Sequence, residues 1–329
     1  MKKILLIATG GTIASLQTET GLSPKLASDS LLAEVPEISE FCSVSAIQLY
    51  RLDSTNMRPV HWLELARLIR REYENYDGFV VTHGTDTMAY ASSMLYYLIQ
   101  NSKKPIVLTG SQQSISVRDT DARENLLSAF RYACDEFSSG VRIVFDGKVI
   151  SGTRARKNRT KSYNAFSSVD YPEVAVIRGG KVRHYIKESV VGEPIFYDEI
   201  DPSVLVVKLI PGINADIFDY AAERYHAVII ESFGVGGLPY YETNEFADKL
   251  EMLIGKGVRV VITTQVPHEG SDMSVYRVGL KIKKKYELPE AYDMTTEAVV
   301  AKVMWALPQA STPAEFKKLF RTPIGSDIV

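Results

Sequence analysis

Cysteine is scarce in this chain. Cys42 and Cys134 are the only two among 329 residues. They give neither a disulfide framework nor the paired spacing of a zinc site, which fits a reducing compartment. The five histidines (His61, His83, His184, His226 and His268) are scattered without ligand spacing, so no metal site is expected. Long apolar runs are also missing, and no stretch approaches the length of a membrane span. Lys2 and Lys3 before an apolar run imitate a secretory signal. That run reaches only from Ile4 to Ala8, and Gly10-Gly11-Thr12 interrupts it, too early for an ordinary signal core. A cytoplasmic location is the expectation. Positive charge is not in excess: 38 Lys and Arg stand against 40 Asp and Glu. No global basic field is offered to nucleic acid. No G-x-G-x-x-G follows the first strand and no Walker motif is present, so a nucleotide site is not indicated. No short-period repeat or low-complexity tract interrupts the chain.

What is present is a soluble, core-forming composition, 45% hydrophobic and 24% charged. Strand-like apolar runs alternate with amphipathic stretches. Ile4 to Ile7 reads as a buried strand that breaks at Gly10-Gly11 and delivers the Thr12 hydroxyl. Val60 to Tyr76 reads as a helix, with Trp62, Leu65, Ala66, Ile69 and Tyr73 at helical spacing. A strand from Phe79 to Thr82 runs into His83-Gly84-Thr85-Asp86-Thr87. A helix from Thr87 to Gln100 and a strand from Pro105 to Thr109 follow. Asp121 and Glu124 resemble a capping box opening a helix to Phe137. Val141 to Ile150 reads as a hairpin turned by Asp146-Gly147. The pattern loosens from Tyr171 to Ile200. Strands then resume at Val204–Ile210, Ala227–Ile230 and Val258–Thr263, with a last helix over Thr295–Leu307. The expected fold is α/β: two three-layer domains of mainly parallel sheet flanked by helices. The larger covers 1–182 and the smaller 204–329, with a linker over 183–203.

Ligands of open α/β sheets sit beyond the carboxyl ends of the strands, so hydroxyls at those ends are candidates for chemistry. Thr12 has an ordinary use as a turn threonine bonding its own backbone; as a nucleophile it needs a base or a preorganised network. Asp86 precedes a helix and so suits a cap, but beside Thr85 it also suits holding a charged partner. Asp53-Ser54-Thr55-Asn56 after an apolar segment reads as a turn, or as a grip on the charged ends of a small polar substrate. Lys157 lies in a basic run (Arg154, Arg156, Lys157, Arg159, Lys161) that suits a solvated face; the alternative is a buried lysine beside a carboxylate. His83 reads as a residue that orients its loop. Lys281, Lys283, Lys284 and Lys285 read as the outer face of a helix.

Thr9-Gly10-Gly11-Thr12-Ile13-Ala14 followed by His83-Gly84-Thr85-Asp86-Thr87-Met88 resembles the bacterial-type L-asparaginases. The match extends through Asp53-Ser54, Thr109-Gly110-Ser111-Gln112, the Lys157 segment and Gly234-Val235-Gly236-Gly237, and so covers the chain. Asp53-Ser54-Thr55 and Asp293-Met294-Thr295 are similar to the cytoplasmic, type I branch. The resemblance implies hydrolysis of the side-chain amide of L-asparagine to L-aspartate and ammonia, without metal or cofactor. It implies Thr12 as nucleophile, with Thr85, Asp86 and Lys157 assisting. Asp53, Ser54, Thr55, Thr85 and Asp86 are implied for substrate binding. A homodimer or a dimer of dimers is implied, with the C-terminal domain contributing to the interface. One departure stands out: Leu22 occupies the place of a tyrosine in the lid loop of many relatives. Tyr276 matches a tyrosine that some cytoplasmic members bring from a neighbouring subunit. The alternatives are a broad-specificity glutaminase-asparaginase, the asparaginase-like component of a tRNA amidotransferase, and a catalytically impaired amino-acid-binding sensor. Such amidotransferase components usually carry an extra N-terminal module.

Overall fold

Ile4 to Ala8 have no exposed surface, and the strand they form, β1 (Lys2–Gly10), carries the first half of the molecule. The computed structural model describes residues 1–18, 21–239, 245–275, 280, 283 and 285–329. After β1 come a single 3-10 turn (Thr12–Ala14), β2 (Ser15–Thr18), β3 (Gly21–Pro24), α1 (Ser28–Ala33) and β4 (Cys42–Leu52). Then follow α2 (Pro59–Glu72), β5 (Gly78–Thr82), α3 (Met88–Leu98), β6 (Ile99–Gln100), β7 (Pro105–Thr109), α4 (Ala122–Cys134), β8 (Gly140–Phe145) and β9 (Lys148–Ser151). Short strands close the half: β10 (Ala155–Lys157), β11 (Phe166–Ser168), β12 (Ala175–Arg178), β13 (Lys181–His184) and β14 (Ile195–Phe196).

The main sheet has the order β13-β12-β9-β8-β7-β5-β1-β4. Its β4, β1, β5, β7 and β8 are parallel, and β9, β12 and β13 extend it antiparallel. Parallel strands buried on both faces read as continuous apolar runs, which is why β5 and β7 show no alternation. Ile4, Leu6, Val80, Val107 and Val144 point to one face, where they pack with Leu31 of α1 and Leu126, Ala129 and Phe130 of α4. On α2 the expected stripe Trp62, Leu65, Ala66, Ile69 and Tyr73 is buried, and Pro59 opens the helix where its missing N–H costs nothing. The Asp146-Gly147 turn has positive φ at both residues and joins β8 to β9.

The chain order fixes where a site can form. From β1 the chain moves to β4 on one side, then returns past β1 to β5 on the other. Beyond the carboxyl ends of β1 and β5 the connecting loops therefore diverge, which leaves a crevice at this switch of direction. Thr9 Oγ1 donates to Thr82 O at 2.8 Å and ties the two strand ends together.

Several expectations change in detail: α2 ends at Glu72 rather than Tyr76, and Ile99–Gln100 is strand rather than the end of a helix. Asp121 forms no side-chain cap on α4, because its carboxylate accepts instead from the backbone N–H groups of Gln112 and Gln113. The helix also ends at Cys134, three residues short of Phe137, at an extended Asp135.

Contacts divide the chain into Met1–Asp198 and Glu199–Val329. Within the stretch read as a linker, β14 pairs antiparallel with β6 of the first unit. The second unit contains β15 (Val204–Lys208), α5 (Ile217–Arg224), β16 (Ala227–Ser232), α6 (Glu245–Gly255), β17 (Arg259–Thr264), α7 (Thr296–Gln309) and α8 (Pro313–Arg321). The last of these was not anticipated. Pro313 at its start and a reciprocal Thr312–Glu315 capping box explain its formation. Its three parallel strands run β15-β16-β17. Val228, Ile230 and Ile262 pack with Phe218 of α5 and Phe246 and Leu250 of α6. α7 packs against β15 and β16. Lys283 differs from the expected outer face: its ammonium pairs with Glu290, which is fully buried.

Lys302 and Asp327 form an ion pair at 2.7 Å with both side chains fully buried. Burial pushes the Lys302 pKa down, and Asp327 opposes that shift. Asp327 also accepts from Ile324 N, so the pair fastens the C-terminal residues to α7. Asp327→Asn leaves a buried ammonium without its counter-charge and is expected to cost about 3–5 kcal/mol. Lys302→Met combined with Asp327→Leu is expected to recover most of that loss. Urea denaturation of the two variants checks both.

His83 offers a pH test. It is fully buried, and burial pushes its pKa down to about 4, against a smaller upward effect of its bond to Gly84 O. The unfolded chain takes up a proton near pH 6.5, which the folded imidazole refuses until about pH 4. Stability from this group is thus complete above about pH 6.5 and is lost as the pH falls through that window. Between pH 7.5 and 5 the wild type is expected to lose about 2 kcal/mol more than His83→Gln, measured by urea denaturation.

Candidate active site

The break after β1 is built from two glycines with positive φ, Gly10 at 109° and Gly11 at 81°. Other residues are strained in that region. Space forbids a side chain as well. A Cβ on Gly10 would lie 2.4 Å from Leu52 O, and one on Gly11 would lie 2.4 Å from Gly84 N. The Gly11 N–H donates to Leu52 O at 2.9 Å. Thr12 therefore leaves the strand wedged between the ends of β4 and β5, and it opens the short 3-10 turn half-buried.

Gly84 continues the stack. A Cβ there would meet Ser54 Cβ and Oγ at 2.6 Å. Backbone thus lies on backbone from Gly11 to Gly84, and Ser54 closes the other side. Thr87 Oγ1 donates to Ser54 O at 2.9 Å, locking the loop after β5 to the turn after β4. Ser54 is 3% exposed. Its neighbours Asp53 and Thr55 are exposed, and Asp53 Oδ1 accepts from both Thr55 N and Thr55 Oγ1 at 2.9 Å. That ties down one carboxylate oxygen. Asp53, Ser54, Thr55, Thr85 and Asp86 are thereby drawn to one rim, next to the strand end that carries Thr12.

Lys157 ends β10 and reaches this rim from the antiparallel pair of β10 and β11. Its Nζ lies 2.7 Å from Thr85 Oγ1 and 2.6 Å from Asp86 Oδ1. The lysine side chain is only 16% exposed, while that of Asp86 is 58% exposed. Of the two readings of the basic run, the covered lysine beside a carboxylate is therefore the one realised at Lys157. Its neighbour Lys161 is exposed. Asp86 does not cap α3, whose N-cap residue is Thr87.

Thr85 Oγ1 accepts from Lys157 and donates to Gln112 Oε1 at 3.2 Å. Its proton is therefore directed at Gln112. The Gln112 amide nitrogen in turn donates to Ser162 O at 3.2 Å and Arg159 O at 3.4 Å. The loop that presents Gln112 is shaped from beneath. Asp121 accepts its backbone N–H groups, and Asn125 Nδ2 donates to Gly110 O at 3.0 Å. Burial pushes the Asp121 pKa up, against four opposing hydrogen bonds. The roles of Gln112, Asp121 and Asn125 were missed in the sequence. Asp121 before a helix carries the signal of a cap, and nothing local shows its carboxylate turning to a loop nine residues upstream. His83 lies beneath the site, with Nδ1 2.7 Å from Gly84 O. Because burial keeps the ring neutral, that bond is an Nδ1–H donation that holds the Gly84 peptide.

Tyr276 lies outside the described residues, as does the side chain of Leu22. Among the described residues no group of His, Cys, Asp and Glu could hold a metal ion, and no helix is long and apolar enough to cross a membrane.

Residues 3–190 match the family model "Asparaginase, N-terminal", and residues 203–320 match "Glutaminase/Asparaginase C-terminal domain". An L-asparaginase of Thermococcus kodakarensis is 36% identical over 99% of both chains. A glutamyl-tRNA(Gln) amidotransferase component of Pyrococcus abyssi is 32% identical, over all of this chain and 77% of that protein. Among solved structures, the thermostable L-asparaginase of T. kodakarensis superposes with a TM-score of 0.91 at 34% identity, over 99% of each chain. L-asparaginase I of Vibrio cholerae follows at 0.85 and 28%, over 100% and 99% of the chains. A probable cytoplasmic L-asparaginase of Campylobacter jejuni gives 0.83 and 26%, over 98% and 100%. With both domains matched and the fold shared end to end, the chain belongs to the asparaginase family of amidohydrolases, alongside type I members.

Proposed function

We propose that the chain hydrolyses the side-chain amide of L-asparagine through a Thr12 nucleophile and an acyl-threonine intermediate. The carrying observation is the Lys157 ammonium held against both Thr85 and Asp86, on the loop whose Gly84 abuts Gly11. The substrate's ammonium group is held by Asp53 and Asp86, and its carboxylate by Ser54. The hairpin of β2 and β3 covers it as a lid. Thr12 Oγ attacks the amide carbon. The Gly11 N–H is committed to Leu52 O, so the oxyanion donors are backbone N–H groups following the glycines. One such donor typically contributes a hundredfold or more in rate. Ammonia leaves. Water positioned by Thr85, with Lys157 and Asp86 setting its proton balance, then releases aspartate. A homodimer in the cytoplasm, with Tyr276 supplying a phenol from the neighbouring protomer, completes the proposal.

A broad glutaminase-asparaginase differs by one methylene of substrate, worth about 1–3 kcal/mol of discrimination. Paired assays of kcat/KM on the two amides decide that point. The amidotransferase reading draws on the 32% identity to the P. abyssi protein. Ammonia release from free asparagine by the purified chain alone, without tRNA or a partner, sets it aside. The same assay sets aside a sensor that has lost the chemistry.

Thr12→Ala is expected to lower kcat by about a thousandfold or more while the protein stays folded. Near-normal turnover in that variant rules out Thr12 as nucleophile. Asp86→Asn is expected to change stability by less than about 1 kcal/mol, because its carboxylate faces water. Its kcat is expected to fall by about a hundredfold or more. Thermal unfolding and steady-state kinetics on the same preparation separate the two effects.

A further inference from the structure

The two cysteines of this chain meet in space. β1 and β4 run parallel with Lys2 opposite Cys42. The Lys2 ammonium reaches across to donate to Asp135 O at 2.9 Å, at the residue following Cys134 at the end of α4. The start of β4 and the end of α4 therefore converge at one edge of the core, where Cys134 packs against the cluster of buried side chains that includes Cys42, and each thiol shifts the other's titration. Both are free. Cys42 is 2% exposed and also points its sulfur at Ile38 O, 3.5 Å away. Cys134 is half-buried, so a small reagent has access to one sulfur and hardly to the other.

We propose that Cys42 and Cys134 are a built dithiol site that closes to an intramolecular disulfide by exchange with a small-molecule disulfide. Cys134 is the attacking sulfur and Cys42 the resolving one. The Cys134 thiolate attacks one sulfur of the reagent RSSR, forming a mixed disulfide and expelling RS⁻, which takes up the proton lost by Cys134. The Cys42 sulfur, on losing its proton, attacks the Cys134 sulfur and expels the second RS⁻, which leaves as RSH. Two protein thiols are oxidised and one small disulfide is reduced to two thiols. The neighbouring Cys42 thiol lowers the Cys134 pKa, burial opposes this, Lys2 assists, Asp77 opposes and the N-terminal ammonium assists. The neighbouring Cys134 thiol and then burial push the Cys42 thiol up, so Cys134 is the sulfur that attacks first.

The position predicts what the bond does. Cys42 begins β4, whereas the candidate site lies beyond the other end of the parallel strands. The cross-link would join the first and last thirds of the larger unit, restricting its unfolded chain without touching the chemistry. Full-length protein is incubated with oxidised glutathione, then with an alkylating reagent, and weighed by intact mass spectrometry. The expected species is a monomer lighter by two hydrogens, alkylated at neither cysteine, melting about 5 °C or more above the reduced form. Its kcat is expected to stay within about twofold of the reduced form's. In Cys42→Ala a single glutathione is expected to remain trapped on Cys134, and in Cys134→Ala the buried Cys42 is expected to stay unmodified. Alkylation of both thiols after oxidation, two glutathione adducts on the wild type, or cross-linked dimers in place of the monomer would overturn the proposal.

Discussion

The candidate site depends on one close approach, that of the Gly11 backbone to Gly84. No side chain fits at either position, since a methyl on Gly11 would overlap Gly84 N and a methyl on Gly84 would overlap Ser54. Without that approach the loops leaving β4, β1 and β5 would be held apart by the side chains at these positions. With it, three loops that leave a parallel sheet in different directions are pressed into one rim. The loops that carry Thr12, Asp53, Thr85 and Asp86 are then adjacent.

Charge in this rim is arranged asymmetrically. Lys157 is largely covered and Asp86 is largely in water. An ammonium under cover keeps directed interactions with two oxygens, whereas a wholly exposed pair would be screened into insignificance. Asp86, facing outward, retains accepting capacity for a second cation. Thr85 is fixed from both sides, as an acceptor from Lys157 and a donor to Gln112. The supporting residues are themselves unusual. His83 stays neutral under burial, and Asp121 spends its carboxylate on a loop rather than on its helix.

Much of this arrangement was legible along the chain. The glycine pair after a buried strand announced a sharp break, and a second hydroxyl-bearing strand end announced its partner. Helix spacing over Trp62 to Tyr73 and the Asp146-Gly147 turn were equally plain, because each depends on neighbours a few residues away. The harder cases were those where one residue serves two local rules. Asp121 satisfies the pattern of a capping box, yet its acceptors are needed upstream. Lys157 sits among Arg154, Arg156, Arg159 and Lys161, and nothing in that run tells which cation turns inward. Lys283 looks outward by its neighbours and is paired with a buried glutamate.

The amino-acid order by itself determined the class of fold, the two α/β halves and the residue types offered at the strand ends. Periodicity, glycine and turn chemistry act over short distances, so they can be read in one dimension. Only tertiary structure decided which of those residues meet. The pairing of Lys157 with Thr85 and Asp86, the neutral buried state of His83, and the contact of Cys42 with Cys134 join positions dozens of residues apart or depend on the loss of water around them. Desolvation and long-range packing exist only once the sheet has closed over its helices, and no local pattern carries them.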